Sequence, residues 1–107
     1  MCEVVHIKDG YDVYGGRAGH GHDGYFGNPY SMHLSPDDPF YAKDRTDAIA
    51  KFREYAFRRF NVDMEYRERV LSLHGKRLGC FCKPKSCHCD VYVELVARNI
   101  NPLFGGM

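Results

Sequence analysis

The chain has 107 residues, the size of a single domain, and 44% of them are apolar, as in ordinary soluble globular proteins. The net charge of +1 gives no strong case for binding a nucleic-acid backbone. No segment approaches the roughly 20 apolar residues of a membrane span, and the first residues lack a signal peptide, so we expect a cytoplasmic protein. Cytoplasmic thiols stay reduced, and the five cysteines are an odd number, so metal ligation or thiolate chemistry is favoured over a disulfide framework.

The first part of the chain predicts short strands followed by a long loop. Val4–Ile7 is a short apolar run, and a second run at Val13–Tyr14 follows the turn signal Asp9–Gly10. The two runs form either a hairpin or one bent strand. From about residue 15 to 40, glycine, histidine and proline interrupt every period. A loop of this length in a small domain is usually functional or disordered.

Two helices are predicted next. Asp44 or Thr46 caps the first, and the second begins after a new cap at Asp63 and ends before Gly75. Helical spacing predicts that both bury an apolar face. The inward residues are Ile49, Phe52, Ala56 and Phe60 in the first helix, and Met64, Val70 and Leu73 in the second. Three arginines lie mainly off the apolar face of the first helix, and we assign them to a solvated helix face: Arg53, Arg58 and Arg59.

A strand, a cysteine-rich turn and a last helix end the chain. Residues 76–82 alternate as a strand, and the helix begins near Asp90 and ends by Asn99, before an irregular tail at 100–107. Strand, turn and helix form the half-unit of an α/β sheet. We therefore predict one small α/β domain over residues 1–107, with a short sheet flanked by about three helices. The cysteine turn belongs to its Rossmann-like half-unit.

The turn from Cys80 to Asp90 is the first candidate site. It joins the carboxyl end of a strand to a helix N-terminus, where open α/β sheets bind ligands. The free N–H groups of the helix stabilise an anion such as a thiolate.

Three interpretations of this turn remain open. In the first, Cys82 or Cys87 is a reactive thiol, His88 is an acid–base group, and Asp90 orients it or caps the helix. In the second, zinc is bound by some of the cysteines and His88; the preferred set is Cys80, Cys82, Cys87 and His88, without the paired C-x2-C spacing of a zinc ribbon. In the third, the cysteines only pack the end of a strand.

Two glycine-containing segments predict the opposite wall of a pocket. Glycines such as Gly16 let backbone N–H groups approach a ligand, and Arg17 supplies a forked donor for phosphate. Asn28 follows in a second turn, and Lys83 of the cysteine turn adds positive charge. Plain glycine turns are the alternative.

The combined motifs resemble a known family. They are Asp12-Val13-Tyr14 with Gly16-Arg17, Gly27-Asn28-Pro29, Lys76 to Pro84, Cys87-His88 and Asp90-Val91. In this order they resemble the domain of unknown function 4326 family, a small domain often encoded by bacteriophages and bacteria. The resemblance covers about Val4 to Ala97.

Departures from the family pattern also carry information. Cys89 stands where the family has glycine, and Phe26 where it has tryptophan, which implies that Cys89 is not essential. Residues 18–25 form an enlarged stretch, which implies that His20 and His22 fall outside any shared site. The family supplies no reaction.

Our leading hypothesis is a pocket for a phosphate-bearing or nucleotide-like small ligand, built by Gly15–Arg17, Asn28 and the turn Cys82–Asp90. Whether the protein is an enzyme stays open. The alternative is a zinc-binding structural or interaction module, for example a phage protein that binds a host protein.

Overall fold

The computed structural model describes residues 2–17, 24–80 and 87–99. A three-stranded sheet and three α-helices confirm the predicted small α/β class. The strands are β1 (Glu3–His6), β2 (Val13–Tyr14) and β3 (Arg77–Cys80), and the helices are α1 (Arg45–Val62), α2 (Met64–Leu71) and α3 (Cys89–Asn99). Several predictions fall outside the described residues, namely those on His20, His22, Cys82, Lys83 and the tail.

The sheet is parallel, with β3 at its centre and β1 and β2 on either side. Val4 and Val13 both pair with Leu78, so β1 and β2 run in the same direction on opposite edges. Neither a hairpin nor one bent strand is therefore correct. The sequence suggested both because only the five residues 8–12 separate the two apolar runs, too few for a helical crossover.

The connection from β1 to β2 crosses the central strand. A 3-10 turn at Ile7–Asp9 and Gly10, at φ 84°, return the chain to the start of the sheet. The Tyr11 ring then covers Gly79, where an added Cβ would lie 2.6 Å from the Tyr11 Cγ. The close approach of this ring accounts for glycine at position 79.

The first two helices follow the predicted spacing closely. Asp44, rather than Thr46, caps α1, and its carboxylate accepts from the Asp47 N–H at 2.8 Å. The buried residues of α1 are Ala48, Phe52, Ala56 and Phe60. Three of these were predicted, and the fourth predicted residue, Ile49, is half-buried.

Asp63 separates the two helices. Its backbone N–H closes α1 onto the Arg59 carbonyl, and its carboxylate accepts from Tyr66 N–H to start α2. The prediction that Met64 points inward is wrong, because Met64 is the first residue of α2 and is 70% exposed. Tyr66 takes the inward position instead and is completely buried.

The carboxyl ends of the strands meet the N-terminus of α3. Leu78 and Cys80 are buried on the face of β3 toward this helix. A Cβ on Gly15, just after β2, would lie 2.7 Å from the Cys89 Sγ and 2.9 Å from the Leu78 Cγ. This contact places the glycine segment directly against the start of α3. Within the described ranges, no helix combines the length and apolar character that crossing a bilayer requires.

Candidate functional site

Three thiols converge where β3 ends and α3 begins. The Sγ atoms of Cys80, Cys87 and Cys89 all lie within 4.8 Å of one another. All three cysteines are buried, with at most 1% of their surface exposed. The cluster can hold a metal ion, because thiolate sulfurs are the preferred ligands of soft and borderline metals.

Electrostatics distinguish the three thiols. A hydrogen bond from Cys89 lowers the pKa of Cys87 well below the usual thiol range, and His88 acts in the same direction. The pKa of Cys89 is raised, first by its hydrogen bonds with Cys80 and Cys87 and then by burial. Of these two thiols Cys87 is therefore the more readily ionised, whereas Cys89 holds its proton more strongly.

The first turn of α3 supports this arrangement. The Cys87 Sγ accepts from the Cys89 N–H at 3.4 Å, one of the free donors of the helix start. The Asp90 carboxylate accepts from the Cys87 N–H at 3.1 Å. Asp90 therefore caps the turn, which was one of the two roles predicted for it.

His88 links the thiol cluster to the two glycine segments. Its Nε2 lies 2.7 Å from the Gly15 carbonyl and 3.1 Å from the Phe26 carbonyl, so this nitrogen carries a proton that it donates. Its Nδ1 lies 3.7 Å from the Cys87 Sγ. The ring also meets Phe52 of α1 edge to face, with centroids 5.1 Å apart. His88 thus contacts the thiol cluster, the backbone at Gly15 and Phe26, and α1.

The two glycine segments pack against each other. A Cβ on Gly27 would lie 2.8 Å from the Gly16 carbonyl oxygen and 3.0 Å from the Arg17 Cα. These are backbone atoms, which cannot rotate away. The two segments predicted to form this wall therefore lie in direct contact.

The polar side chains of this wall hold it together. The Arg17 guanidinium donates to the Asn28 carbonyl and to the Tyr30 carbonyl, the latter at 2.7 Å. The buried Asn28 side chain donates to Ala48 of α1 at 3.2 Å and accepts from the Tyr30 N–H at 2.8 Å. Both residues tie the long loop to itself and to α1, in addition to facing a cavity.

An open cavity of about 460 Å³ lies beside this wall. Among the described residues that line it, two carry positive charge and none carries negative charge. The lining residues are Arg17, Gly24, Tyr25, Gly27, Asn28, Pro29, Tyr55, Arg59 and Tyr92. Cys87 and His88 are not among them, so the cavity and the thiol cluster are neighbours joined by His88 and by α3.

Sequence reasoning missed half of this site. Arg59 was assigned to a solvated face, yet it is half-buried and its guanidinium lies 4.2 Å from the Tyr66 ring centroid. Cys89 was set aside through the family comparison, yet its Sγ belongs to the thiol cluster. The cluster of arginine and tyrosine on α1 was the available signal, and its spacing of four residues from Tyr55 to Arg59 places both on one face.

The fold and the site define a small α/β domain with a thiol–histidine centre at the carboxyl ends of its strands. The chain belongs to the domain of unknown function 4326 family, whose profile matches residues 5–98. It is 39% identical over 99 residues to an uncharacterised 12.4 kDa protein from the nrdA–td intergenic region of Enterobacteria phage T4, covering 92% of this chain and 80% of that protein. No solved structure matches the chain.

Proposed function

We propose that this protein binds a small ligand carrying a phosphate and a planar ring, such as a nucleotide. The ligand would occupy the open cavity that two arginines and three tyrosines line. The observation that carries the proposal is the cavity itself. Its volume of about 460 Å³ falls in the range of small-molecule sites, roughly 300–1,000 Å³. It is lined by Arg17, which follows β2, and by Tyr92 in the first turns of α3, the helix that begins beside the strand carboxyl ends, near which parallel α/β sheets bind ligands.

The charge of the cavity favours an anionic ligand. The partners of Arg17 among the described residues are two neutral carbonyls, which fix the guanidinium without neutralising it. A guanidinium has five N–H donors, so these bonds leave donors for a phosphate. The positive charge of Arg59 is partly balanced, because the Asp63 Oδ2 lies 3.2 Å from the Arg59 Nε. Arg17 is therefore the better candidate for the phosphate contact.

Aromatic side chains favour a planar group on the ligand. Tyr25, Tyr55 and Tyr92 line the cavity. Tyr25 is fixed by the Arg69 guanidinium, 4.3 Å from its ring centroid, and by an edge contact with Phe26 at 5.1 Å. A ring held in this way loses little freedom when a base stacks on it, and each such stack is worth about 1–3 kcal/mol.

The reactive roles predicted in the cysteine turn stay predictions. Cys87 as a nucleophile and His88 as an acid–base group are supported by the lowered pKa of Cys87 and by the Nδ1 contact. His88 reaches the cavity wall through the Phe26 carbonyl rather than by lining the cavity. We therefore propose binding, and assign no reaction.

Calorimetric titration tests the proposal with three probes: adenosine monophosphate, adenosine and inorganic phosphate. We expect the monophosphate to bind more tightly than either part alone. Arg17→Gln should weaken the monophosphate by about tenfold or more and leave adenosine little changed, since one charged hydrogen bond contributes about 1.5–3 kcal/mol. The matched control is Arg58→Gln, because Arg58 is exposed on α1 and does not line the cavity.

The proposal fails if none of the three probes binds at about 1 mM, the level of the weakest specific complexes. It also fails if Arg58→Gln weakens binding as much as Arg17→Gln does. In the latter case the affinity reflects the overall charge of α1 rather than the cavity.

A second candidate function is that of a zinc-stabilised interaction module that binds a host protein. The three clustered sulfurs favour the zinc part of this proposal. Metal analysis of untagged protein tests it: about one zinc per chain, with loss of fold on chelation, is expected. A zinc-free protein that folds normally in the presence of chelator contradicts it.

A further inference from the structure

We propose that Cys80, Cys87 and Cys89 are ligands of one zinc ion, and that among the described residues His88 is a positioning residue outside the metal. This inference rests on the second function proposed above, and it assigns that site its ligands. It differs from the set predicted from sequence, Cys80, Cys82, Cys87 and His88, in containing Cys89 instead of His88; Cys82 lies outside the described residues.

The spacing of the sulfurs fits tetrahedral zinc closely. Zn–S bonds of about 2.3 Å in a tetrahedron place sulfurs roughly 3.8 Å apart. The Sγ atoms of the cluster lie within 4.8 Å of one another, so a shift of about 1 Å or less brings them to bonding positions. Rotation about the Cα–Cβ bonds supplies such a shift without movement of the backbone.

The described backbone that carries the three cysteines is held by strand pairing and by the start of α3. Cys80 ends the central strand and is paired with His6 of β1. Cys87 and Cys89 are held at the start of α3, where the Asp90 carboxylate accepts from the Cys87 N–H. The Cys89 N–H also donates to the Cys87 Sγ, and such bonds from the surroundings orient a metal ligand and offset its charge. All three cysteines are buried, and three protein ligands leave one position of a tetrahedral zinc for a fourth ligand.

His88 lies beside this centre, with its Nδ1 3.7 Å from the Cys87 Sγ and its Nε2 3.7 Å from the Cys89 Sγ. Its ring nitrogens are not part of the group of mutually close ligand atoms. Its Nε2 is engaged by the Gly15 and Phe26 carbonyls, and Phe52 packs on its ring. Turning the ring toward the three sulfurs would break these contacts. The histidine instead fixes the helix turn that carries Cys87 and Cys89 to the two loops.

The experiment measures zinc affinity of the reduced, untagged full chain by competition with a chromophoric chelator. Four single variants are compared with the wild type: Cys89→Ser, Cys80→Ser, His88→Gln and Cys2→Ser. Cys2 is the matched control, because it is a buried free cysteine outside the cluster. Gln at position 88 keeps a donor for the loop carbonyls and removes the imidazole.

We expect one zinc per chain in the wild type. Cys89→Ser and Cys80→Ser should weaken zinc binding by more than about 100-fold, whereas His88→Gln should weaken it by no more than roughly 10–100-fold, as for residues that only surround a metal. Cys2→Ser should leave it unchanged. If His88→Gln loses zinc and Cys89→Ser retains it, the ligand assignment is overturned while zinc binding stands. If the wild type binds no zinc, both are overturned.

X-ray absorption of the zinc-loaded wild type provides a second measurement, because a cysteine variant of a buried cluster can fail to fold. The proposal requires at least three sulfur atoms around zinc at about 2.3 Å and no imidazole scattering. A shell of two sulfurs, or a shell with an imidazole, overturns it.

Discussion

His88 provides the most informative single perturbation of this fold. Replacing it with alanine removes the Nε2 donor shared by the Gly15 and Phe26 carbonyls and the edge contact with Phe52. Replacing it with glutamine restores an N–H donor at nearly the position of Nε2 but no ring. The pair of variants therefore separates the hydrogen bonds from the other contacts.

The expected magnitude follows from these contacts. Each net hydrogen bond contributes about 0.5–1.5 kcal/mol, and an aromatic edge contact about 0.5–1.5 kcal/mol. For two hydrogen bonds and one aromatic contact, the sum predicts that His88→Ala lowers the free energy of unfolding by about 1.5–4.5 kcal/mol, a large share of the roughly 5–15 kcal/mol of a typical domain. His88→Gln should lose about half as much, because it keeps part of the hydrogen bonding.

Urea unfolding followed by circular dichroism measures these differences, with a predicted fall in the midpoint and little change in the slope. His74→Ala is the control, since His74 is exposed after α2 and should alter stability by no more than about 0.5 kcal/mol. If His88→Ala is as harmless as His74→Ala, the assignment of His88 as the link between α3 and the loops is wrong. If glutamine and alanine are equally damaging, the carbonyl bonds are not what stabilises the site.

Three further predictions follow from the same structure. Gly27→Ala should lower the free energy of unfolding by about 1–3 kcal/mol and displace the cavity wall, because the added Cβ would lie 2.8 Å from the Gly16 carbonyl oxygen. Equal melting temperatures of Gly27→Ala and wild type would contradict the contact between the two loop segments. Tyr66→Phe should lower the free energy of unfolding in urea by about 1–3 kcal/mol, because it removes the 2.9 Å hydrogen bond to the buried Tyr92 hydroxyl. A double-mutant cycle with Tyr92→Phe should show coupling between the two positions, and strict additivity would refute the prediction. The Tyr66 N–H and the Arg59 guanidinium hold the pKa of Asp63 below its usual value. The stabilisation from the Asp63 carboxylate is therefore present above about pH 4 and is lost as the pH falls further. Asp63→Asn should flatten this acid dependence of unfolding, and an unchanged pH profile would contradict the prediction.

Local patterns predicted the helices and the central strand well, because capping residues and apolar spacing act within one or two turns. Asp44 and Asp63 mark the helix starts, and Phe52, Ala56 and Phe60 are buried as their spacing indicates. The direction of β2 was not predictable in this way. It depends on pairing with β3, more than sixty residues away, and no local pattern encodes that choice.

The same contrast between local patterns and long-range packing applies to the candidate site. The cysteine turn was visible because its chemical groups are adjacent in sequence, and Arg17 and Asn28 were visible beside turn signals. Tyr25, Arg59 and Tyr92 come from three distant segments, and only packing brings them to one cavity. Cys89 was set aside on the family pattern alone, and its place beside Cys80 depends on how α3 docks against the sheet.

The most direct test of ligand binding is a titration of isotopically labelled protein with adenosine monophosphate, followed by amide chemical shifts. The account predicts saturable shifts concentrated at the cavity, including Gly24, Gly27 and the Asn28 side-chain amide, with Val62 at the exposed end of α1 unchanged. Shifts spread over exposed arginines such as Arg58, with none at Gly27 or Asn28, would contradict it.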